Sequence, residues 1–356
     1  MTKIVYFCKL LVTKCIFVFN KRLTMENIAE GKSIFFENLS IGYDSDCTIN
    51  KFPVVSSKVH KAEFIVLLGR NGIGKSTLLR TLSGLMPPIS GNLFLMDKNI
   101  DKYSQKEKAS TISFVSTEKP DIANLTVIDV VSLGRYSYTN WIGTLNGNDN
   151  DIIYQSMEMT GIAHLAHKNI NEISDGEKQR AMISRSLAQN TPIIILDEPT
   201  AFLDLPTKFE IMLLLRNLAW NENKTIILST HDLNIAMQLA DIIWIMTNDE
   251  LKQDSPEDIA LKHGLNDLFN DTGIKFDYKK GIVDTGTNYT KEISLNILNS
   301  DINFWTTKAL NRIGYNVVEK SNIKIEFENN NFVIKENTNS TYCSSVRELI
   351  KKVKTI

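Results

Sequence analysis

Gly69-Arg70-Asn71-Gly72-Ile73-Gly74-Lys75-Ser76-Thr77 decides how the rest of the chain is read. The spacing is G-x-x-x-x-G-K-[ST]. An apolar run, Glu63 to Leu68, enters it, and a helical pattern, Lys75 to Leu85, leaves it before Pro87-Pro88. Glycines let the backbone turn so that successive N–H groups face a phosphate, and the helix start adds partial positive charge. Lys75 would reach the β- and γ-phosphates of a nucleotide, and the Ser76 hydroxyl would ligate Mg2+. The first reading is therefore an ATP-type phosphate loop spanning Gly69 to Thr77.

A second stretch answers the first. Ile193-Ile194-Ile195-Leu196-Asp197-Glu198-Pro199-Thr200 is a wholly apolar strand that ends in two adjacent carboxylates. Asp197 is placed to hold Mg2+, directly or through water, and Glu198 to take a proton from the attacking water. Around these two stretches, strands at Ser33 to Asn38, Asn50 to Val59, Gly91 to Met96, Thr225 to Ser229 and Ile242 to Met246 alternate with helices at Pro206 to Trp220 and Leu233 to Ala240. Alternation with fully apolar strands predicts a parallel sheet covered on both faces. Residues 104 to 190, mostly helical in pattern, read as an insertion. After about residue 270 Asn and Lys become frequent. Strands at Ile274 to Tyr278, Glu292 to Leu298, Ile323 to Phe327 and Asn331 to Lys335, with helices at Trp305 to Ile313 and Ser345 to Val353, make a small α+β unit.

At this point the chain resembles the nucleotide-binding subunits of ABC transporters, from about Ile34 to Met246. The resemblance implies an α/β fold: a P-loop NTPase cassette with an antiparallel β edge and a helical insertion, followed by the small C-terminal α+β domain. It divides the chain into 25–265, with the helical subdomain at about 104–190, and 270–356. The family's signature segment corresponds to Ile173-Ser174-Asp175-Gly176-Glu177-Lys178-Gln179-Arg180, in which Asp175 and Glu177 replace a glycine and the glutamine. The resemblance implies that Ser174, Asp175, Gly176 and Glu177 face the γ-phosphate held by a partner chain. Read without it, Ser174 or Asp175 caps a helix, and a capped N-terminus is itself a phosphate-binding device.

Three further segments follow the family's order. Ala201-Phe202-Leu203-Asp204 looks like the D-loop. Ser229-Thr230-His231-Asp232 looks like the switch segment, with His231 contacting the γ-phosphate. Tyr43 sits where the family stacks an aromatic on adenine. The Q-loop departs from the pattern: in Phe114-Val115-Ser116-Thr117-Glu118, Thr117 occupies the glutamine's position. Thr126-Val127-Ile128-Asp129-Val130-Val131-Ser132-Leu133-Gly134-Arg135-Tyr136 resembles a segment of importer ATPases for iron-siderophores, haem and cobalamin.

The family therefore implies ATP and Mg2+ as ligands and a membrane permease and a second copy of the chain as partners. A solute-binding protein is implied indirectly, and the place of work is the cytoplasmic face of the membrane. Composition is compatible. With 40 basic against 41 acidic residues there is no basic excess of the kind a nucleic-acid binder carries. Cys8, Cys15, Cys47 and Cys343 have no zinc-ligand spacing. Ile4 to Phe19 is apolar but broken by Lys9 and Lys14, short of the ~20 residues a spanning helix needs; residues 1–24 read as an extension, with Met25 a plausible start. The rival reading, a soluble ABC ATPase acting on ribosomes or DNA, would lead one to expect two cassettes or a long coiled coil, and the sequence has one cassette and no heptad run.

Overall fold

The computed structural model describes residues 32–42, 52–116, 124–139, 144–269, 274–278, 281–284, 289–336 and 339–355. Residues 1–24, Tyr43 and Thr117 lie outside the described residues. Two compact units divide between Gly264 and Leu265.

In the first unit the strands, in chain order, are β1 (Lys32–Ser40), β2 (Val55–His60), β3 (Phe64–Gly69), β4 (Ser90–Leu95), β5 (Lys98–Asn99), β6 (Ile112–Val115), β7 (Ile193–Leu196), β8 (Thr225–Ser229), β9 (Ile242–Met246) and β10 (Leu251–Asp254). Four of them form an antiparallel sheet ordered β2-β1-β4-β5. The other six are ordered β10-β9-β3-β8-β7-β6; all are parallel to their neighbours except β10, which runs antiparallel on the edge. Every residue of β3, β7 and β8 is buried, as expected of strands covered on both faces. One core joins the two sheets through Ile34, Phe36, Leu67, Leu79, Leu93 and Trp244. The rings of Phe36 and Trp244 meet edge to face at 5.8 Å.

Helices of this unit are α1 (Lys75–Leu82), α2 (Gln105–Thr111), α3 (Val127–Ser132), α4 (Gly147–Met159), α5 (Asp175–Ala188), α6 (Leu205–Asn221), α7 (Leu233–Leu239) and α8 (Pro256–Leu261). The first of them stops short of the expected Leu85, because the N–H groups of Leu85 and Met86 fold back onto the Arg80 carbonyl at 3.0 and 3.2 Å.

The helical insertion has a core of its own: Val127, Val130 and Val131 from α3, Ile153 and Met157 from α4, Ala181 and Ala188 from α5. The Gly134-Arg135 pair explains how it closes. A Cβ on Gly134 would lie 2.2 Å from the Arg185 carbonyl oxygen, so only glycine permits this approach to α5. Arg135 then turns inward. Its Nε donates to Asp149 Oδ1 (2.9 Å), its Nη2 forms an ion pair with the same oxygen (2.9 Å), its Nη1 donates to the Ala188 carbonyl (2.9 Å), and its guanidinium stacks 3.9 Å from the Tyr138 ring centroid. Asp149 Oδ2 meanwhile accepts the Asn146 N–H in the capping box of α4. That N–H first, and Arg135 in support, hold the Asp149 carboxyl below its ordinary pKa against the opposing effect of burial.

The second unit contains a hairpin of β11 (Lys275–Asp277) and β12 (Ile282–Asp284). It continues with β13 (Lys291–Asn296), α9 (Ser300–Arg312), β14 (Tyr315–Val318), β15 (Ile323–Glu328), β16 (Asn331–Glu336), β17 (Asn339–Cys343) and α10 (Val346–Val353). The last five strands are ordered β14-β13-β15-β16-β17. Ile293, Ile325 and Ile334 of the sheet pack with Leu310 of α9 and Leu349 and Val353 of α10. Among the described residues no helix is long and apolar enough to cross a membrane.

The buried pair yields a stability prediction. Arg135→Ala leaves the Asp149 carboxylate buried without its cation and is expected to cost about 3–5 kcal/mol in urea unfolding at pH 7. Since the folded pKa of Asp149 is depressed, its contribution is present above the unfolded value of about 4 and fades as pH falls through the folded value. The gap between wild type and Asp149→Asn should therefore shrink in acid; a gap that widens there would contradict this arrangement.

Candidate active site

The parallel sheet brings three strand ends together, because β3, β8 and β7 are neighbours in that order. At the end of β3 the chain enters the loop from Gly69 to Gly74. Gly74 has φ 101° and is the N-cap of α1; a Cβ there would also strike the Phe52 ring at 2.6 Å. Lys75 follows, only 5% exposed. Its Nζ donates to the Gly69 carbonyl (2.9 Å) and the Arg70 carbonyl (3.1 Å). Burial pushes the ammonium's pKa down, and the charges of Glu198 and Asp197 pull it back up. Arg70, Asn71, Gly72 and Ser76 are exposed, Ile73 is half-buried and Thr77 is buried behind the loop. The arrangement is a concave backbone turn with one cation beneath it, suited to a polyphosphate.

At the end of β7 stand Asp197, 4% exposed, and Glu198. The Asp197 N–H donates to the Val115 carbonyl of β6 (2.9 Å). Glu198 has φ 45°, the left-handed region, which costs a non-glycine residue on the order of 1–3 kcal/mol. That turn lifts its side chain out to His231, whose Nε2 lies 2.6 Å from Glu198 Oε1. Sequence reasoning placed these groups together but missed a fourth. Ser229, the last residue of β8, is fully buried, with its hydroxyl bonded to both the Glu198 N–H (2.9 Å) and Asp197 Oδ1 (2.7 Å). The one signal in the sequence was a hydroxyl at the end of an apolar strand.

Ser174 and its neighbours stand in the helical insertion. Ser174 is the N-cap of α5: its Oγ accepts the Glu177 N–H (3.3 Å), and Glu177 Oε2 accepts the Ser174 N–H and hydroxyl (both 2.8 Å). These bonds, the hydroxyl's first, lower the Glu177 pKa. The glutamate in place of the family's glutamine is thus the acid half of a capping box. Gly176 packs on Thr207, where a Cβ would come within 2.7 Å of Cγ2. Asp204 of the D-loop segment caps α6 by accepting the Thr207 N–H (3.2 Å). Ser174 and Asp175 are exposed at the helix start.

Comparison with known proteins bears directly on this geometry. An uncharacterized ABC transporter ATP-binding protein of Methanocaldococcus jannaschii is 37% identical over 235 residues, covering 66% of this chain and 80% of that one. The chain belongs to the ABC transporter ATP-binding proteins. Residues 52–201 of this ABC ATPase match the ABC transporter family, and residues 294–354 match the iron ABC transporter C-terminal domain. A petrobactin import ATP-binding protein of Bacillus anthracis is 32% identical over 239 residues, 67% of this chain and 86% of its own length. Among solved structures, a dimeric bacterial ABC transporter cassette superposes with a TM-score of 0.56 at 27% identity, over 63% of this chain and 98% of that one. The second unit's match had no counterpart in the motifs of the sequence.

The ABC ATPase binds ATP, and its residues also fit Mg2+. Among the described residues no cluster of three or more His, Cys, Asp or Glu side chains could hold a metal by itself. One carboxylate (Asp197), one hydroxyl (Ser76) and phosphate oxygens are the hard, sparse donor set that Mg2+ accepts. Lys75→Ala removes the buried cation beneath the loop 69–74 and is expected to lower ATP hydrolysis by about three orders of magnitude or more. Phosphate release and fluorescent-nucleotide titration measure this; unchanged turnover would remove Lys75 from the site.

Proposed function

We propose that this ATPase energises a separate membrane permease that imports an iron chelate, working as a pair of identical chains at the cytoplasmic face. The observation that carries this is the division of the site. Lys75, Asp197, Glu198 and His231 gather at the strand ends, whereas Ser174 presents a capped helix start in the helical insertion, which packs around a core of its own. A helix start of that kind suits a phosphate presented by a second copy, so each ATP would lie between Lys75 of one chain and Ser174 of the other. Iron import is favoured by the C-terminal match and by the petrobactin-importing relative; a partner solute-binding protein delivering the chelate completes the reading.

In this reading the loop 69–77 holds the triphosphate and Lys75 neutralises charge on its β and γ groups. Mg2+, when bound, screens the phosphate oxygens. Glu198 accepts the proton of the attacking water, and His231 passes from Glu198 to the γ-phosphate as ATP enters. Closure of the pair on ATP and its reopening after hydrolysis move the permease.

Glu198→Gln keeps the side chain's size and removes the base. Hydrolysis should fall by about two orders of magnitude or more, with ATP binding intact. The variant should then accumulate as an ATP-bound dimer in size-exclusion chromatography with light scattering. Ser174→Arg in the same chain should prevent that dimer. Membranes extracted with tagged Glu198→Gln protein and MgATP should yield a multi-spanning protein; recovery of ribosomes or DNA instead would overturn the transport reading, and a monomer with permease and ATP both present would overturn the paired site.

A further inference from the structure

Ser229 is a fully buried hydroxyl that bonds both the Asp197 carboxylate and the Glu198 backbone N–H at the end of β7, and its bonding directions are determined. The Glu198 backbone N–H can only donate, so Ser229 Oγ accepts it at 2.9 Å; an ionised carboxylate can only accept, so the Ser229 hydroxyl donates to Asp197 Oδ1 at 2.7 Å. Strand register makes this possible. Leu196 of β7 lies opposite Leu228 of β8, so the next residues, Asp197 and Ser229, come abreast. The far side of the turn is held by the Asp197 N–H on Val115.

From this geometry we propose that Ser229 is a positioning residue for ATP hydrolysis, acting through Asp197 and Glu198 without touching nucleotide. One hydroxyl ties the metal-facing carboxylate of Asp197 to the backbone of the water-activating Glu198. It does so where Glu198 occupies a left-handed backbone conformation that would otherwise relax. The end of β8 grips Glu198 twice: at the backbone through Ser229, and at the carboxylate through His231, whose Nε2 is 2.6 Å from Oε1. The second contact is broken when His231 turns to a phosphate; the first persists. Thr230, between them, donates its N–H to the Leu67 carbonyl (3.2 Å) and so ties this end to β3, the strand that leads into the phosphate loop. The proposal rests on the ATPase reading of the site and adds to it a role for Ser229, which opens the switch segment but is given no part in the chemistry there.

The test uses the full chain with Ser229→Ala and Ser229→Thr. Losing a hydroxyl that orients a metal-facing carboxylate typically costs 10–100-fold in metal affinity or activity. For Ser229→Ala, kcat should fall by about tenfold or more, and Mn2+ affinity, read by electron paramagnetic resonance with a non-hydrolysable ATP analogue, should fall by a comparable factor. Metal-free nucleotide affinity, set by residues 69–77, should stay within about twofold of wild type, and Ser229→Thr should recover most of the loss because it restores the hydroxyl. If the alanine chain does not fold, Ser229→Cys, which nearly keeps the volume and weakens both bonds, is measured in the same way. Turnover and Mn2+ affinity both near wild type, an equal loss of metal-free nucleotide affinity, or a threonine chain as impaired as the alanine one would overturn the proposal. Failure of the wild type itself to hydrolyse ATP would instead overturn the reading beneath it.

Discussion

A lysine ammonium that is 5% exposed must be solvated by something other than water, and in this chain the carbonyls of Gly69 and Arg70 do it. Those carbonyls turn toward Lys75 because the loop doubles back on itself, and it can do so because Gly74 holds φ 101° at the start of α1. The nearby charges of Asp197 and Glu198 partly offset the desolvation that depresses the lysine's pKa. The balance is provisional in a useful sense. A polyphosphate entering the loop offers Lys75 far stronger partners than two neutral carbonyls, so the buried cation favours an anionic ligand in this cradle.

The two carboxylates owe their position to the parallel sheet. Strands of almost pure Ile and Leu bury both faces, and their carboxyl ends open on one edge, where helix starts also gather. Asp197 is held from both sides, by β6 through its N–H and by β8 through its carboxylate. Glu198 sits one residue further on in a left-handed conformation, which sends its side chain away from the sheet toward His231. Strain of this kind persists only where neighbours over-determine it, and the hydroxyl of Ser229 is one such neighbour.

The helical insertion solves a different problem: it presents a helix start at a fixed place without drawing on the sheet's core. Its own cluster of valines, isoleucines and alanines does the packing, and the buried Arg135–Asp149 pair joins the turn after α3 to both α4 and α5. Gly134 is part of the same device, since any larger residue would push that turn off the Arg185 carbonyl. The segment whose pattern pointed to iron-chelate importers is, in the structure, the segment that seats α5, the helix that Ser174 begins. The second unit packs separately around Ile293, Ile325, Leu310 and Leu349.

Much of this was legible in the sequence. The phosphate loop, the Asp197-Glu198 pair and the strands around them could be read because their signals are local: fixed spacing along the chain, apolar runs, glycines where a tight turn is needed. The strands Tyr315–Val318 and Asn339–Cys343 were not legible, being four and five residues long at the sheet's edges, with only Tyr315 and Cys343 buried. The partners of Arg135 could not be read either, because one is a carboxylate in the next helix and the other a backbone carbonyl in α5. The sequence by itself determined that a nucleotide cradle and two carboxylates exist, since covalent order dictates each motif. Only the tertiary structure decided that Ser229 joins the Asp197 carboxylate to the Glu198 backbone, because that depends on the register between β7 and β8. Strand register is set by packing and not by spacing along the chain.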